Sequence, residues 1–254
     1  MYSKLKTLFW YFQNPKLLPD AFFKIKNGLF NQARENTGQA AIDWCRTTAI
    51  SEREAFAKFF PDQPFTSIRE KFPAEYNYAL QKEKECRFTM GGPGAVDLLY
   101  NFCEATGSQQ ALETGVAYGW STLAILLSLQ KKNEARLISI DMPYAKMGND
   151  DFVGTVVPME LKKQWNLFRE SDYTGVPKAI VQLKEIDICH YDSDKSYAGR
   201  LRSNTLIWNA MKNGGIFISD DISDNLGFKD FCDSISQTPV IVDSGNKFIG
   251  ILKK

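Results

Sequence analysis

The stretch Ala111-Leu112-Glu113-Thr114-Gly115-Val116-Ala117-Tyr118-Gly119-Trp120-Ser121-Thr122 decides the fold. A short apolar run ends in an acid, turns through glycines and enters an apolar segment, Leu123 to Leu127, with helical spacing. That order reads as strand, tight loop, helix. Gly115 lets the backbone turn sharply and lets a ligand approach, because no Cβ intervenes. The helix opening near Trp120 offers unpaired N–H groups and a positive dipole end. Such a loop also fits a plain αβ corner. A second strand, Arg136 to Asp141, ends in another acid, at the distance where α/β folds place a carboxylate on ribose hydroxyls.

Outward from this unit the pattern keeps alternating. Strands are expected at 111–115, 136–141, 165–171, 186–192 and 215–220, with helices near 120–131, 157–164, 174–184 and 196–212. Repeated strand–helix units imply a parallel sheet covered on both faces. After a helix near 226–236, Pro239–Asp243 and Lys247–Leu252 flank Ser244-Gly245-Asn246 and read as a β-hairpin, which adds an antiparallel last strand. Residues 1–90 read as a mainly helical extension, with helices over Gly38–Cys45 and Glu52–Phe60. Pro64, Pro73 and the charged run Gln81–Glu85 punctuate it. The glycine-rich bend Met90–Gly94 precedes an amphipathic helix, Ala95–Glu104. The expected division is an extension, 1–90, and an α/β domain, 91–254.

Bulk properties exclude some classes. The 254 residues are 44% hydrophobic and 24% charged, an ordinary globular balance. A net charge of +1 without a basic stripe gives no case for nucleic acid. Five cysteines without metal-ligand or CxxC spacing read as reduced thiols in a cytoplasmic protein. No apolar run is long enough to span a bilayer. Residues 1–30 mix lysines, Lys4 and Lys6 among them, with Leu8, Phe9, Trp10, Tyr11, Phe12, Phe22 and Phe23. The favoured reading is an arm packed on the domain or on a second copy in a homo-oligomer; the alternative lies on an anionic membrane surface.

The motif Glu113-x-Gly115-x-x-x-Gly119-x-Ser121, with Asp141 and the terminal hairpin, resembles class I S-adenosylmethionine-dependent methyltransferases over about residues 90–254. The usual middle glycine of the loop is replaced by Ala117. The G-x-x-x-G-x-S form is similar to catechol-type, metal-dependent O-methyltransferases and to macrocin-type sugar O-methyltransferases. The resemblance implies a Rossmann-like seven-stranded sheet, parallel except for its last strand. It also implies that Glu113, Gly115, Tyr118, Gly119 and Ser121 face the methionine part of S-adenosylmethionine. Asp141 would take the ribose hydroxyls, Ser171 or Asp172 would lie near the adenine, and Met90 and Gly91 would close over the cofactor beside Asp192.

A second constellation ends the fourth and fifth strands: His190-Tyr-Asp192-Ser-Asp194-Lys195 and Asp220-Asp221. Strand C-termini of a parallel sheet open onto one crevice, so these carboxylates converge beside the glycine loop. Unpaired, they would raise one another's pKa values, a conflict that a hard divalent cation such as Mg²⁺ would remove. The resembling families place metal ligands here, which maps onto Asp192, Asp220 and Asp221. The Asp-Asn usual at the second site of catechol-type enzymes is Asp-Asp in this chain, as in the macrocin-type group. The bland reading is that these acids cap the following helices. The base has two candidates, Asp194 and Lys195, with Asp194 preferred because a lysine usually keeps its charge. His190 reads as a hydrogen-bonded core histidine.

The long connection 142–158 reads as a lid and, with the N-terminal extension, as the candidate for recognising the acceptor, a small-molecule or sugar hydroxyl; Tyr144 and Phe152 would stack on its ring or only pin the loop. Two other functions compete: a nicotinamide-dependent oxidoreductase, opposed by the missing G-x-G-x-x-G, and a non-catalytic module that keeps the fold.

Overall fold

The computed structural model describes residues 9–144, 147–245 and 247–254. The expectations attached to Lys4, Lys6, Leu8 and Asn246 lie outside the described residues.

Helices of the extension are α1 (Leu18–Phe30), α2 (Gly38–Arg46), α3 (Glu52–Phe59) and α4 (Pro73–Glu85), joined by shorter turns. Helix α5 (Val96–Ala105) leads into β1 (Gln110–Thr114), α6 (Trp120–Leu129), β2 (Arg136–Ile140) and β3 (Trp165–Phe168). Then follow α7 (Asp172–Leu183), β4 (Ile186–Tyr191), α8 (Tyr197–Ala210), β5 (Met211–Ser219), α9 (Gly227–Ser234), β6 (Val240–Asp243) and β7 (Phe248–Lys253). The sheet order is β3-β2-β1-β4-β5-β7-β6. Strands β1 to β5 pair in parallel, and β7 runs antiparallel to both of its neighbours.

Helix α6 is apolar nearly all round because it lies between the sheet and the outer helices, and only Ser121 along it is not buried. One apolar cluster covers the α5–α6 face of the sheet; a second covers the face under α7, α8 and α9. Helices α3 and α4 of the extension join the first through Phe56 and Ala79, whereas α2 joins the second through Cys45 and Trp44. Phe56 of α3 is buried against Phe102 of α5 with ring centroids 5.4 Å apart. The backbone of Ile50 pairs with β6, donating to the Ile241 carbonyl at 3.0 Å and accepting from Asp243 at 2.9 Å. A capping box at Ser51 and Glu54 starts α3 just after this pairing.

Two expectations are corrected. No α-helix forms over 157–164: Gly154 has φ +71°, Pro158 interrupts the run, and only a short 3₁₀ turn, Leu161–Gln164, survives. Pro73 and Gln81–Glu85 do not break the chain but lie within α4. Proline is tolerated in the first helical turn, and Gln81 bonds Glu85 one turn on at 2.9 Å. Among the described residues no helix is long and apolar enough to cross a membrane.

Candidate active site

The strand order reverses between β1 and β4, with β2 and β3 on one side and β5 on the other. Parallel sheets open a crevice at such a switch point. Here it is a cleft of about 830 Å³. Its lining includes Met90, Gly91, Gly115, Tyr118, Ser121, Asp141, Ser171, Asp172, Asp192, Asp194, Lys195, Asp220 and Asp221. Most residues singled out from sequence are therefore gathered around one space.

Glu113 and Gly119 are not among them. Glu113 is fully buried beneath the loop, where its Oε2 accepts from the hydroxyls of Thr122 at 2.7 Å and Ser139 at 2.6 Å. Its other oxygen lies 3.9 Å from His190 Nδ1, and neither atom has a hydrogen-bond partner among the described residues. Burial pulls the His190 pKa down, but its contact with Glu113 and the charges of Asp192 and Asp220 outweigh burial and raise it. His190 touches the cleft while remaining almost wholly buried, so its main partner is structural. Gly119 has φ +96° and caps α6, and a Cβ there would come within 2.9 Å of Gly154 Cα. Gly115, at φ +80°, makes the expected sharp turn and lines the cleft, and it has a further role. A Cβ would overlap the carbonyl oxygen of Asp192, so this glycine lets β1 and β4 come together behind the loop.

Asp141 does two things at once. Its Oδ2 accepts from the backbone N–H groups of Val116 at 2.8 Å and Ala117 at 3.2 Å, and its Oδ1 pairs with Arg169. The carboxylate thus fixes the loop conformation and still faces the cleft, with one of its four lone-pair sites left for a further donor. Ala117 is held in the left-handed region at φ +50°, where glycine is the low-energy residue.

The connection 142–158 is mostly strapped down rather than free to swing. Gly154 donates to the Ala117 carbonyl at 2.9 Å and Val156 to that of Tyr118 at 3.1 Å. Phe152 packs on Phe88 with centroids 5.4 Å apart, away from the cleft; Tyr144 lines it and is half exposed. Another wall comes from the extension, through Trp10, Tyr11, Asp20 and Lys24. Lys24 reaches Asp20 at 3.2 Å and Asp194 at 3.9 Å, which ties α1 to the end of β4. Burial pushes the Asp20 carboxyl above its ordinary range.

The strand-end acids are each answered from within the chain. Lys195 pairs with Asp221 and lies 3.4 Å from Asp192 Oδ1; Lys247, on the hairpin, pairs with Asp220. Burial, then the charge of Asp220, raises the Asp192 pKa. Asp172, buried at the head of α7, is pushed up to about 6 by loss of solvent, although Ser193 and the Asp194 N–H donate to it. Asp194 bonds its own turn through Ser196 N–H at 3.0 Å and turns its second oxygen toward Lys24.

The expected Mg²⁺ set is not assembled. Among the described residues no group of three or more acidic, histidine or cysteine side chains is placed to hold a metal. The oxygens that would serve as ligands face lysine ammonium groups instead. Lys247 and Arg169 were missed from sequence because each reaches the site from a segment without a motif: a hairpin turn and the frayed end of β3.

Residues 112–222, from β1 to just past β5, match a family model described as a methyltransferase domain. An O-methyltransferase from Bacillus cereus in complex with S-adenosylhomocysteine is similar over 74% of this chain and 95% of its own, at 14% identity and a TM-score of 0.55. The O-methyltransferase TomG of Streptomyces achromogenes, involved in tomaymycin synthesis and solved with S-adenosylmethionine, is similar over 75% and 97%, at 14% identity and a TM-score of 0.51. A methyltransferase of Podospora anserina, bound to S-adenosylhomocysteine, is similar over 78% and 93%, at 12% identity and a TM-score of 0.53. No curated protein sequence matches the chain. Residues 112–222 are thus similar to a methyltransferase domain, and the chain shares the fold of these solved methyltransferases.

Proposed function

We propose that the protein is an S-adenosylmethionine-dependent O-methyltransferase acting on a hydroxyl of a small molecule or sugar. The observation that carries this is the cleft at the β1/β4 switch point. It joins the Gly115–Tyr118 loop and Asp141 on one side to the strand-end carboxylates and lysines on the other. The residues present fit the cofactor. Ser171 Oγ is buried, has no hydrogen-bond partner among the described residues and belongs to a cleft-lining side chain. In this reading Asp141 holds the ribose hydroxyls, the loop from Gly115 to Tyr118 flanks the methionine part beside Met90 and Gly91, and Ser171 and Asp172 border the adenine. Glu113 supports the loop from beneath instead of touching the cofactor. When bound, S-adenosylmethionine supplies an electrophilic methyl sulfonium.

Asp194 is the preferred base, because it keeps an oxygen toward the cleft. Lys195, bonded to carboxylates, acts as a cation rather than as a proton acceptor. Mg²⁺ is given no role in this reading, since its ligand oxygens are already paired. Trp10, Tyr11, Lys24 and Tyr144 border the acceptor side. The five cysteines are all free, which supports a reducing, cytoplasmic setting. Phe9, Phe12, Phe22 and Ile25 of the extension are exposed, which supports self-association through that segment. A screen of sugar and phenolic acceptors with methyl-labelled S-adenosylmethionine tests the proposal. A product of one added methyl on oxygen is expected; label appearing only on nitrogen or carbon would contradict it.

A further inference from the structure

We infer that this cleft works with two lysine ammonium groups, Lys195 and Lys247, in place of a divalent cation, an inference that rests on the methyltransferase reading above. Asp192 follows β4, and Asp220 and Asp221 follow β5, so three carboxylates face one cleft. Such a cluster demands positive charge. Lys195 pairs with Asp221 and stands 3.4 Å from Asp192 Oδ1, and Lys247 pairs with Asp220. Two ammonium groups bring the same charge as one divalent ion, and they answer the carboxylates that such an ion would need.

The arrangement is built rather than incidental. Arg200 is buried to 1% exposure, and its guanidinium donates to Ser219 Oγ at 2.9 Å and to the backbone carbonyls of Asp220 and Asp221 at 3.0 Å each. Those bonds turn the two carboxylates toward the cleft and hold Asp221 in the left-handed region at φ +49°. Lys247 enters beside Gly94, where even an added Cβ would lie 3.5 Å from its Nζ. A bulkier residue at 94 would crowd that path. The lysine comes from the β6–β7 hairpin, so the antiparallel end of the sheet delivers charge to the site.

The chemistry balances without a metal. The acceptor hydroxyl gives its proton to Asp194, its oxygen forms the bond to the methyl carbon, and the carbon–sulfur bond breaks with its electron pair returning to the sulfonium sulfur. The products are the methyl ether and S-adenosylhomocysteine, and nothing is oxidised or reduced. The ammonium groups of Lys195 and Lys247 stabilise the negative charge that develops on the acceptor oxygen.

The test titrates Mn²⁺, as a paramagnetic stand-in for Mg²⁺, into protein loaded with S-adenosylhomocysteine, using the wild type, K247Q and K195Q/K247Q. The wild type is expected to show no saturable Mn²⁺ binding in the millimolar range. K195Q/K247Q, with its carboxylates uncovered, is expected to bind at least roughly tenfold more tightly, with K247Q between. Should the double variant fail to fold by circular dichroism, K247Q carries the comparison alone. A stoichiometric Mn²⁺ site in the wild type, or variants that bind no better than it, would overturn the inference. Failure of the wild type to bind S-adenosylhomocysteine in the same experiment would instead remove the methyltransferase reading itself.

Discussion

Ala117 sits where the chain needs a left-handed residue, with its N–H held by Asp141 and its carbonyl by Gly154. A non-glycine residue there costs on the order of 1 kcal/mol. Ala117→Gly should therefore leave the loop intact and raise stability by up to about 1 kcal/mol, less the entropy that glycine adds to the unfolded chain. Urea unfolding reads it; a clear loss of stability would mean that the Cβ packs usefully. Asp172 gives a pH signature. Its pKa is raised from 3.8 to about 6, so the folded state holds this proton more tightly than the unfolded one. The resulting stability is fully present below about pH 4 and is lost as pH rises through 6. The shift corresponds to about 3 kcal/mol. Asp172→Asn should match the wild type near pH 4 and exceed it by a few kcal/mol near pH 7; equal stability at both would refute the buried-acid account. At this scale the sequence was a partial guide. Asp141 and Glu113 look alike as strand-end acids. Asp141 follows its strand and meets the loop and cleft, whereas Glu113 is inside its strand and points into a pocket of hydroxyls. Only the packing of Thr122, Ser139 and His190 distinguishes them, and none of these carries a motif.

Helix α3 shows how the extension is tied to the sheet. Ile50 pairs with β6, the capping box at Ser51 starts the helix, and Phe56 then inserts against Phe60, Phe65 and Phe102. Phe56→Ala should cost about 3–5 kcal/mol, as for large-to-small changes in a packed core. Thermal unfolding would check it, with the loss shared by the whole molecule in one transition. A small loss confined to a separate early transition would show that the extension folds by itself. The strands were legible because β1, β2 and β4 are short apolar runs bounded by acids and turns. The segment 157–164 was not, since Val156, Val157 and Leu161 are apolar for another reason: they are buried against the underside of the loop and α6. In α4 the proline and the charges that suggested a break are compatible with a helix once Pro73 stands in its first turn.

At the scale of the molecule, the strand reversal between β1 and β4 makes the cleft, and segments from across the chain furnish it. The loop after β1 and Asp141 after β2 form one wall; the ends of β4 and β5 form the other; the hairpin brings Lys247; the extension brings Trp10, Tyr11 and Lys24. The alternation of strands and helices made this architecture readable from sequence, and spacing alone located most of the acids. The lysine partners of those acids were not readable, because their pairing depends on where the hairpin and the end of β4 meet in space. The most direct measurement is titration calorimetry of the folded protein with S-adenosylhomocysteine and with NAD, repeated on Asp141→Ala. The account predicts binding of S-adenosylhomocysteine and no heat from NAD. It also predicts a loss in the variant of about 1.5–3 kcal/mol for each charge-assisted bond to ribose, with a further loss from the unpinned loop. NAD binding in preference to S-adenosylhomocysteine, or an Asp141→Ala protein that binds S-adenosylhomocysteine as tightly as the wild type, would contradict it.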